Sequence, residues 1–210
     1  MENIRAFLKR KDVIISAHRY GIDAMGAMAQ GLFASLLIGT IIKTLGQQTG
    51  IAFLVTAGGY AAAVAGPAMA ASIGYALHAP QLVLFSLIAV GGAANELGGA
   101  GGPLAVLIIA IVAAELGKAV SKETKVDILV TPLVTIFAGV GLSMLIAAPI
   151  GAAASQVGTL ITNMYLSGFP AAELMRISGH KSPSAFMRYI KVDNQQAAKR
   201  LKELRAKLAR

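Results

Sequence analysis

Residues 24–42, AMGAMAQGLFASLLIGTII, contain no charged side chain. A helix needs about 20 predominantly apolar residues to cross the hydrocarbon core of a bilayer, which is about 30 Å thick. Residues 24–42 therefore predict a membrane-spanning helix. Polar residues up to Asp23 separate this helix from the basic N-terminus, and it is longer than a signal-peptide core. We therefore expect a signal anchor rather than a cleaved signal peptide.

The composition of the 210-residue chain argues against several classes of protein. Hydrophobic residues make up 56% of it, charged residues only 14%, and the mean hydropathy is +0.67. Because soluble domains are about 25% charged, a polar soluble enzyme, a disordered tail and a small secreted protein all fit poorly. The chain has no cysteine, which excludes disulfides, cysteine zinc sites and thiol catalysis. We expect neither a metal nor a cofactor.

The charge falls into three blocks. Residues 1–19 carry five basic and two acidic side chains, residues 20–162 carry four basic and five acidic ones, and residues 163–210 carry ten basic and three acidic ones. A nearly neutral apolar middle thus lies between a basic head and a basic tail. A uniformly basic nucleic-acid-binding domain would not show this pattern, so DNA is not an expected partner.

Five more apolar stretches follow the first, at residues 51–77, 81–95, 103–116, 128–148 and 150–166. Gly66-Pro67 should kink the second, the third and fourth are short, and the fifth should end before Pro149. The sixth is weakly apolar and fits either a span or an interfacial helix. The sequence predicts an all-α fold: a polytopic helical membrane domain of five or six segments, with a short soluble helical tail.

The distribution of basic residues favours six segments. Arg and Lys collect in cytoplasmic loops, and six crossings place both the basic head and the basic tail inside, whereas five would place the tail outside. The loop with Lys118, Lys122 and Lys125 lies inside in either case. We expect a multi-pass protein of the bacterial inner membrane with both termini cytoplasmic. The head, residues 1–19, either lies on the membrane surface as an amphipathic segment or is an ordinary positive flank.

The stretch GGAANELGGAGGP, residues 91–103, interrupts the apolar pattern with six glycines and a proline. Short segments broken by Gly and Pro are the sequence signature of a transporter's binding site. Asn95 and Glu96 lie in this stretch and could accept hydrogen bonds from a hydroxylated solute, so they are the candidate substrate-binding residues. The alternative is that Glu96 marks an aqueous loop between two spans. Glu115 should pair with Lys118 at the end of the fourth segment.

Four stretches together resemble a membrane family of the bacterial sugar phosphotransferase system, the EIIC components. They are GIDAMGAMAQGLFASLLIGTIIKTLG (21–46), GGPLA (101–105), AELGKAVSKETKVDILVTPLVT (114–135) and APIGA (148–152). The branch is the one labelled toxin regulators or IIC-type sugar transporters, and the resemblance covers about residues 1–162. It implies a permease that binds and translocates a sugar while soluble phosphocarrier proteins deliver phosphate. Family members are about twice as long in the membrane, so we expect an incomplete permease.

After Leu166 the sequence changes character. SGFP, residues 167–170, breaks the helix, a short helix is predicted at 171–177, another at 183–190, and a last basic one after Asp193. The stretch ELMRISGHKSPSAFMRYIKV, residues 173–192, resembles the C-terminus of a tyrosine recombinase (phage integrase), with His180 and Tyr189 on two of that family's catalytic positions. The partner arginines of that family are missing upstream, so no catalytic residue is expected.

Three functions follow from these observations. The first is a permease of the EIIC type, with domains at 1–19, 20–166 and 167–210, whose partners are a sugar, the phosphocarrier proteins, the lipid bilayer and a second copy in a homodimer. The second is a tyrosine-recombinase fragment fused to a membrane anchor. The third is a non-functional fusion or truncation. We adopt the first of these functions, in which the chain transports a sugar and has no enzymatic activity of its own.

Overall fold

A computed structural model describes residues 2–178, 182–183, 186–187 and 190. Of these, 86% are helical and none is in a strand, which confirms the predicted all-α class. The helices are α1 (Glu2–Arg10), α2 (Ala24–Leu32), α3 (Ile38–Thr49), α4 (Ala52–Ala63), α5 (Ala65–Ala76), α6 (Gln81–Gly98), α7 (Gly102–Val120), α8 (Asp127–Leu142), α9 (Ala148–Leu166) and α10 (Ala171–Ser178).

The stretch at 24–42 lies inside a longer continuous helix, Arg19–Thr49. A π-helical turn at Arg19–Asp23 precedes α2, and a second one at Phe33–Leu37 joins α2 to α3. The helix ends at Gly50, whose φ of +74° is a left-handed conformation that glycine adopts without strain. The chain then reverses, so that α3 and α4 form an antiparallel hairpin.

The second apolar stretch bends where its sequence predicts a kink. Helices α4 and α5 meet at an angle of 49°, and the break is at Val64, three residues before Pro67. Proline has no N–H to donate to the carbonyl of the residue four positions earlier, here Ala63, so the helical hydrogen bonding is interrupted at this point. The helices on the two sides of the bend then pack separately, α4 on α3 and α5 on α2 and α6.

Helices α6 and α7 form an antiparallel hairpin. A Cβ placed on Gly117 near the end of α7 would lie 2.8 Å from Val83 near the start of α6, and one on Gly98 would lie 2.9 Å from Ala105. The expected break over residues 91–103 is therefore wrong in its extent. Helix α6 continues through Gly98, and only Gly99–Gly101 leaves the α-helical pattern, as a 3₁₀ turn.

The glycines within α6 serve close packing instead of breaking the helix. A Cβ on Gly91 would collide with the carbonyl oxygen of Gly66 in α5, and one on Gly66 would collide with that of Gly91. Small residues let helix backbones approach in this way where lipid provides no hydrophobic force to drive association. This packing is the physical reason that residues 91–98 are helical.

Helices α8 and α9 form one continuous run, Asp127–Leu166, joined by a π-helical turn at Ser143–Ala147. The expectation that a span ends before Pro149 is wrong. The helix accommodates Pro149 directly after the π-helical turn, where the regular hydrogen-bond pattern is already shifted. In the first part of the run, every fourth residue is small and buried, and this ridge lies against α6 and α7: Thr131, Thr135, Gly139, Ser143 and Ala147.

Three runs of the described chain are long and apolar enough to cross a membrane, Arg19–Thr49, Gln81–Val120 and Asp127–Leu166. The bent pair α4–α5 makes a fourth if it counts as one span. The predicted third and fourth segments share the second of these runs, and the predicted fifth and sixth share the third. Since Gln81–Val120 folds back on itself as the α6–α7 hairpin, its two halves of 18 and 19 residues are each about 27–29 Å long.

The chain divides into two compact units, Met1–Ala152 and Ala153–Arg210. In the first, the core is made of apolar side chains, mainly of α5, α6 and α7, among them Met69, Ile73, Leu87 and Ile109, all fully buried. The division falls within α9, whereas the predicted domain boundary at Leu166 coincides with the end of that helix.

The second unit has a small core of its own, formed by Ile161, Leu174, Phe186 and Ile190. Tyr165 contacts Phe186 edge to face with the ring centroids 6.1 Å apart, which adds to the packing. The short helix predicted at 171–177 is confirmed as α10, Ala171–Ser178. His180 and Tyr189, the two recombinase-like positions, lie outside the described residues, as does the last predicted helix.

Candidate functional site

Asn95 and Glu96, the predicted substrate-binding residues, lie in the last turn of α6, beside the 3₁₀ turn that leads into α7. Asn95 is partly buried: a Cβ on Gly66 would lie 2.6 Å from its Cβ, and one on Gly102 would lie 2.6 Å from its Oδ1. Glu96 is exposed. Consecutive helical residues point about 100° apart, so the two side chains do not converge on one point.

The α6–α7 turn carries groups that can form hydrogen bonds. The exposed Glu96 carboxylate can accept hydrogen bonds, whereas the Asn95 amide is held between helices α5 and α7. Among the described residues, no three His, Asp or Glu side chains lie close enough to hold a metal ion. The turn therefore offers one accessible carboxylate to a solute, with the asparagine behind it.

A second polar feature lies at the other end of the α6–α7 hairpin, and the sequence predicts only its Glu115–Lys118 pair. Lys118 is 1% exposed, and its ammonium group has three polar partners. It donates to the backbone oxygens of Asp12, at 2.6 Å, and Leu77, at 3.0 Å, and it lies 3.0 Å from Glu115 Oε2. Two hydrogen bonds and an ion pair together offset the cost of burying the ammonium group.

The pairing of Glu115 with Lys118 confirms the sequence-based expectation. Glu115 also accepts a hydrogen bond from the Tyr20 hydroxyl through Oε1, at 3.1 Å. Its Oε2 is buried and accepts no well-directed hydrogen bond in the described part of the chain, so its contact with Lys118 is an ion pair without ideal geometry. The i, i+3 spacing of the pair was the signal that made it predictable.

Arg19 and Asp12 complete what we call the ion-pair cluster: Asp12, Arg19, Glu115 and Lys118. The guanidinium of Arg19 donates to both carboxylate oxygens of Asp12, at 3.2 and 2.5 Å, and to the backbone oxygen of Leu77, at 2.7 Å. The hydrogen bond from Arg19 holds the pKa of Asp12 below its ordinary value of 3.8. Leu77 follows α5, so two cations satisfy a carbonyl at the end of that helix.

The N-terminal segment and the loop between α7 and α8 are joined beside this cluster. Arg10 and Lys11 lie 2.9 and 2.5 Å from Glu123 Oε1, and Lys11 also donates to the backbone oxygen of Ser121. The hydrogen bond from Lys11 lowers the pKa of Glu123. The basic head is thus bound to the loop that follows α7. Sequence reasoning missed these contacts because they join residues more than a hundred positions apart.

Comparison with known proteins identifies the family. The model of the family described as "Phosphotransferase system, EIIC" matches residues 22–170, which is more than half of the chain and includes every long apolar helix. No curated protein and no solved structure matches the chain. The matched range includes the α6–α7 hairpin with Asn95 and Glu96 and the part of the ion-pair cluster that lies on α7. The chain belongs to the EIIC family of the phosphotransferase system and is a membrane protein.

Proposed function

We propose that the chain binds a sugar and carries it across the membrane as the EIIC unit of a sugar phosphotransferase system. The observation that carries the proposal is the family match over residues 22–170, which includes all the apolar helices that could form a path through the bilayer. Soluble phosphocarrier proteins of the same system are the partners that deliver phosphate. The chain itself contributes binding and translocation rather than a phosphorylated side chain.

The proposed location is the inner membrane of a bacterium, with the N-terminus in the cytoplasm. The contacts between the basic head and the α7–α8 loop support this orientation, because Arg10 with Glu123 and Lys118 with Asp12 keep both basic segments at one end of the bundle. Basic segments gather on the cytoplasmic side. The α6–α7 turn then faces the opposite side of the membrane, since α6 is 18 residues and therefore about 27 Å long.

Asn95 and Glu96 are the proposed sugar contacts at that opposite end. The exposure of Glu96 and its position next to the turn support a role in accepting hydrogen bonds from sugar hydroxyls. Asn95 supports the turn from inside, since it lies against Gly66 and Gly102. In this proposal Glu96 touches the sugar, and Asn95 contributes through the shape of the turn and through its amide.

The test is ligand-dependent thermal unfolding of the full chain in lipid nanodiscs with a panel of aldohexoses, ketohexoses, hexitols and disaccharides. A sugar at about 100 times its dissociation constant stabilises the folded state by about 2.7 kcal/mol, so a binding sugar raises the melting temperature measurably. Glu96→Gln should reduce this rise without lowering the melting temperature of the ligand-free protein. Glu173→Gln, another exposed carboxylate, is the matched control and should retain it. No response to any sugar would contradict the proposal.

A further inference from the structure

An open groove lies between α2 and α5, and its lining is unusual for the outside of a membrane helix. Its volume is about 620 Å³, within the range of about 300–1,000 Å³ that small-molecule sites occupy. Four polar side chains line it, Asp23, Gln30, Ser72 and Tyr75. The other lining residues are glycine and alanine, apart from Ile22, so a ligand could approach the helix backbones closely.

Two of these polar side chains have no protein partner. Gln30 and Tyr75 are both exposed, Tyr75 to 78%, and in the described part of the chain neither side chain hydrogen-bonds to another residue. Gln30 lies within the stretch at 24–42 that is long and apolar enough to span the membrane. Polar groups at membrane depth are costly unless they face water or a polar partner. Lipid is therefore a poor occupant of this groove.

The floor of the groove is empty at Gly26. A Cβ placed there would meet no atom within 4 Å, whereas a Cβ on Gly31, one turn further along the same helix run, would lie 2.5 Å from the Ala68 carbonyl oxygen. Gly31 is thus required for the contact between α2 and α5, but Gly26 is not. No packing contact with the described residues accounts for the small residue at position 26.

We propose that the α2–α5 groove is a second sugar contact, which receives the solute at the end of the bundle that holds the ion-pair cluster. The chemistry matches a hydroxylated ring: the Asp23 carboxylate and the Gln30 amide hydrogen-bond hydroxyls, and the Tyr75 ring presents an apolar face. Residues 22–23 lie beside Arg19, and Tyr75 and Ala76 lie beside Leu77, which places the groove near the cluster. Asn95 and Glu96 lie at the other end of the α6–α7 hairpin. The inference rests on the proposed function and adds a sugar contact at the cytoplasmic end, where the sugar is released.

The first experiment maps what fills the groove, and it uses the absence of cysteine from the chain. A single Gln30→Cys variant in nanodiscs is treated with a charged, water-soluble maleimide, with and without each sugar of the panel. Phe137→Cys, at an exposed apolar position of α8, is the lipid-facing control. We expect rapid labelling at position 30, slow labelling at position 137, and protection of position 30 by the sugar that binds.

The second experiment fills the groove without disturbing helix packing. Gly26→Leu should weaken the binding of that sugar by about tenfold or more, since the added side chain occupies the floor. Gly21→Leu is the matched control, because a Cβ at Gly21 also meets no atom within 4 Å and Gly21 does not line the groove. Binding is measured by equilibrium dialysis of the radiolabelled sugar, and unfolding temperatures of both variants report whether either is misfolded.

Each outcome distinguishes a sugar-binding groove from the alternative occupants of the same surface. Slow labelling at position 30 overturns the proposal in favour of a lipid-covered surface, and disulfide cross-linking between Gln30→Cys chains overturns it in favour of a second copy. If the wild type binds a sugar but Gly26→Leu binds it as tightly as Gly21→Leu, the groove is not a sugar contact, whereas the proposed function stands. If the wild type binds no sugar of the panel, both fail.

Discussion

The two ends of the α6–α7 hairpin are held together by different physics. At one end, the ion-pair cluster joins the N-terminal segment, the end of α5 and the end of α7 through charges that are largely buried. At the other end, backbones meet directly at glycines: Gly66 against Gly91, Gly102 against Asn95, and Gly151 against Gly98. Charged side chains hold the helices together at the first end. At the second end, glycines without side chains allow direct backbone contact.

This difference has a consequence for function. Glycine contacts tolerate no added atom, so the end with the α6–α7 turn has one close-packed arrangement. Ion pairs and hydrogen bonds can exchange partners, and Asp12 alone already lies within 4 Å of Arg19, His78 and Lys118. If the bundle rearranges during transport, the ion-pair cluster is the end at which we expect contacts to change.

The largest effect is expected from removing the buried charge. Lys118→Met should destabilise the protein by about 3–5 kcal/mol, because it leaves Glu115 buried without its counter-ion. Unfolding in mixed detergent micelles measures the loss. The double variant Lys118→Met with Glu115→Gln should recover part of the stability, because it removes the uncompensated charge. A double variant no more stable than the single one would show that the pair is not what holds this end.

At the glycine end, two adjacent glycines give a matched comparison. Gly91→Ala should lower the free energy of unfolding by about 1–3 kcal/mol, because the new Cβ collides with the Gly66 carbonyl oxygen. Gly92→Ala should be neutral or stabilising, since its Cβ would lie 3.9 Å from the Pro67 ring and alanine favours the helix. The same micelle unfolding measures both. Equal effects of the two substitutions would contradict the close contact of α5 and α6.

A smaller, pH-dependent effect is expected at Asp12. The pKa of Asp12 is lowered in the folded protein. Its contribution to the free energy of unfolding is therefore complete above its ordinary pKa of 3.8 and is lost as the pH falls through the lower folded-state pKa. The side chain is 42% exposed, which limits the contribution to about 1 kcal/mol. Wild type and Asp12→Asn should therefore differ in melting temperature at pH 6 and converge in acid. A difference that grows as the pH falls would contradict the assignment.

The smallest effect is expected at Glu123. Its partners Arg10 and Lys11 bind it at the solvent-exposed loop, where water and salt screen the pairing. Glu123→Gln should leave the melting temperature unchanged in moderate salt. A clear loss of stability there would mean that the loop is more closely packed than its exposure indicates.

The sequence predicts those features of the fold that depend on local pattern. Residues 24–42 lie in a spanning helix because they lack charge, Pro67 kinks its helix because it lacks an N–H, and the spacing of Glu115 and Lys118 pairs them. The break predicted from the six glycines at 91–102 was wrong in its extent, because glycine can also lie inside a helix. Here glycine allows α5 and α6 to approach each other closely.

Features that depend on distant contacts could not be read from the sequence. Asp12 and Arg19 looked like parts of a basic flank, and only the fold brings them to Leu77 and Lys118. The α2–α5 groove likewise joins residues about fifty positions apart, and its polar residues are scattered singly through apolar runs. The candidate site at Asn95 and Glu96 could be predicted because both residues lie in one short stretch, and their role in binding stays a prediction.

The most direct test of the proposed function is equilibrium dialysis of radiolabelled sugars against the full chain in lipid nanodiscs. We predict saturable binding of at least one sugar, displaced by the same sugar unlabelled and weakened in Glu96→Gln. Binding no greater than that of empty nanodiscs, for every sugar of the panel, would contradict the proposed function.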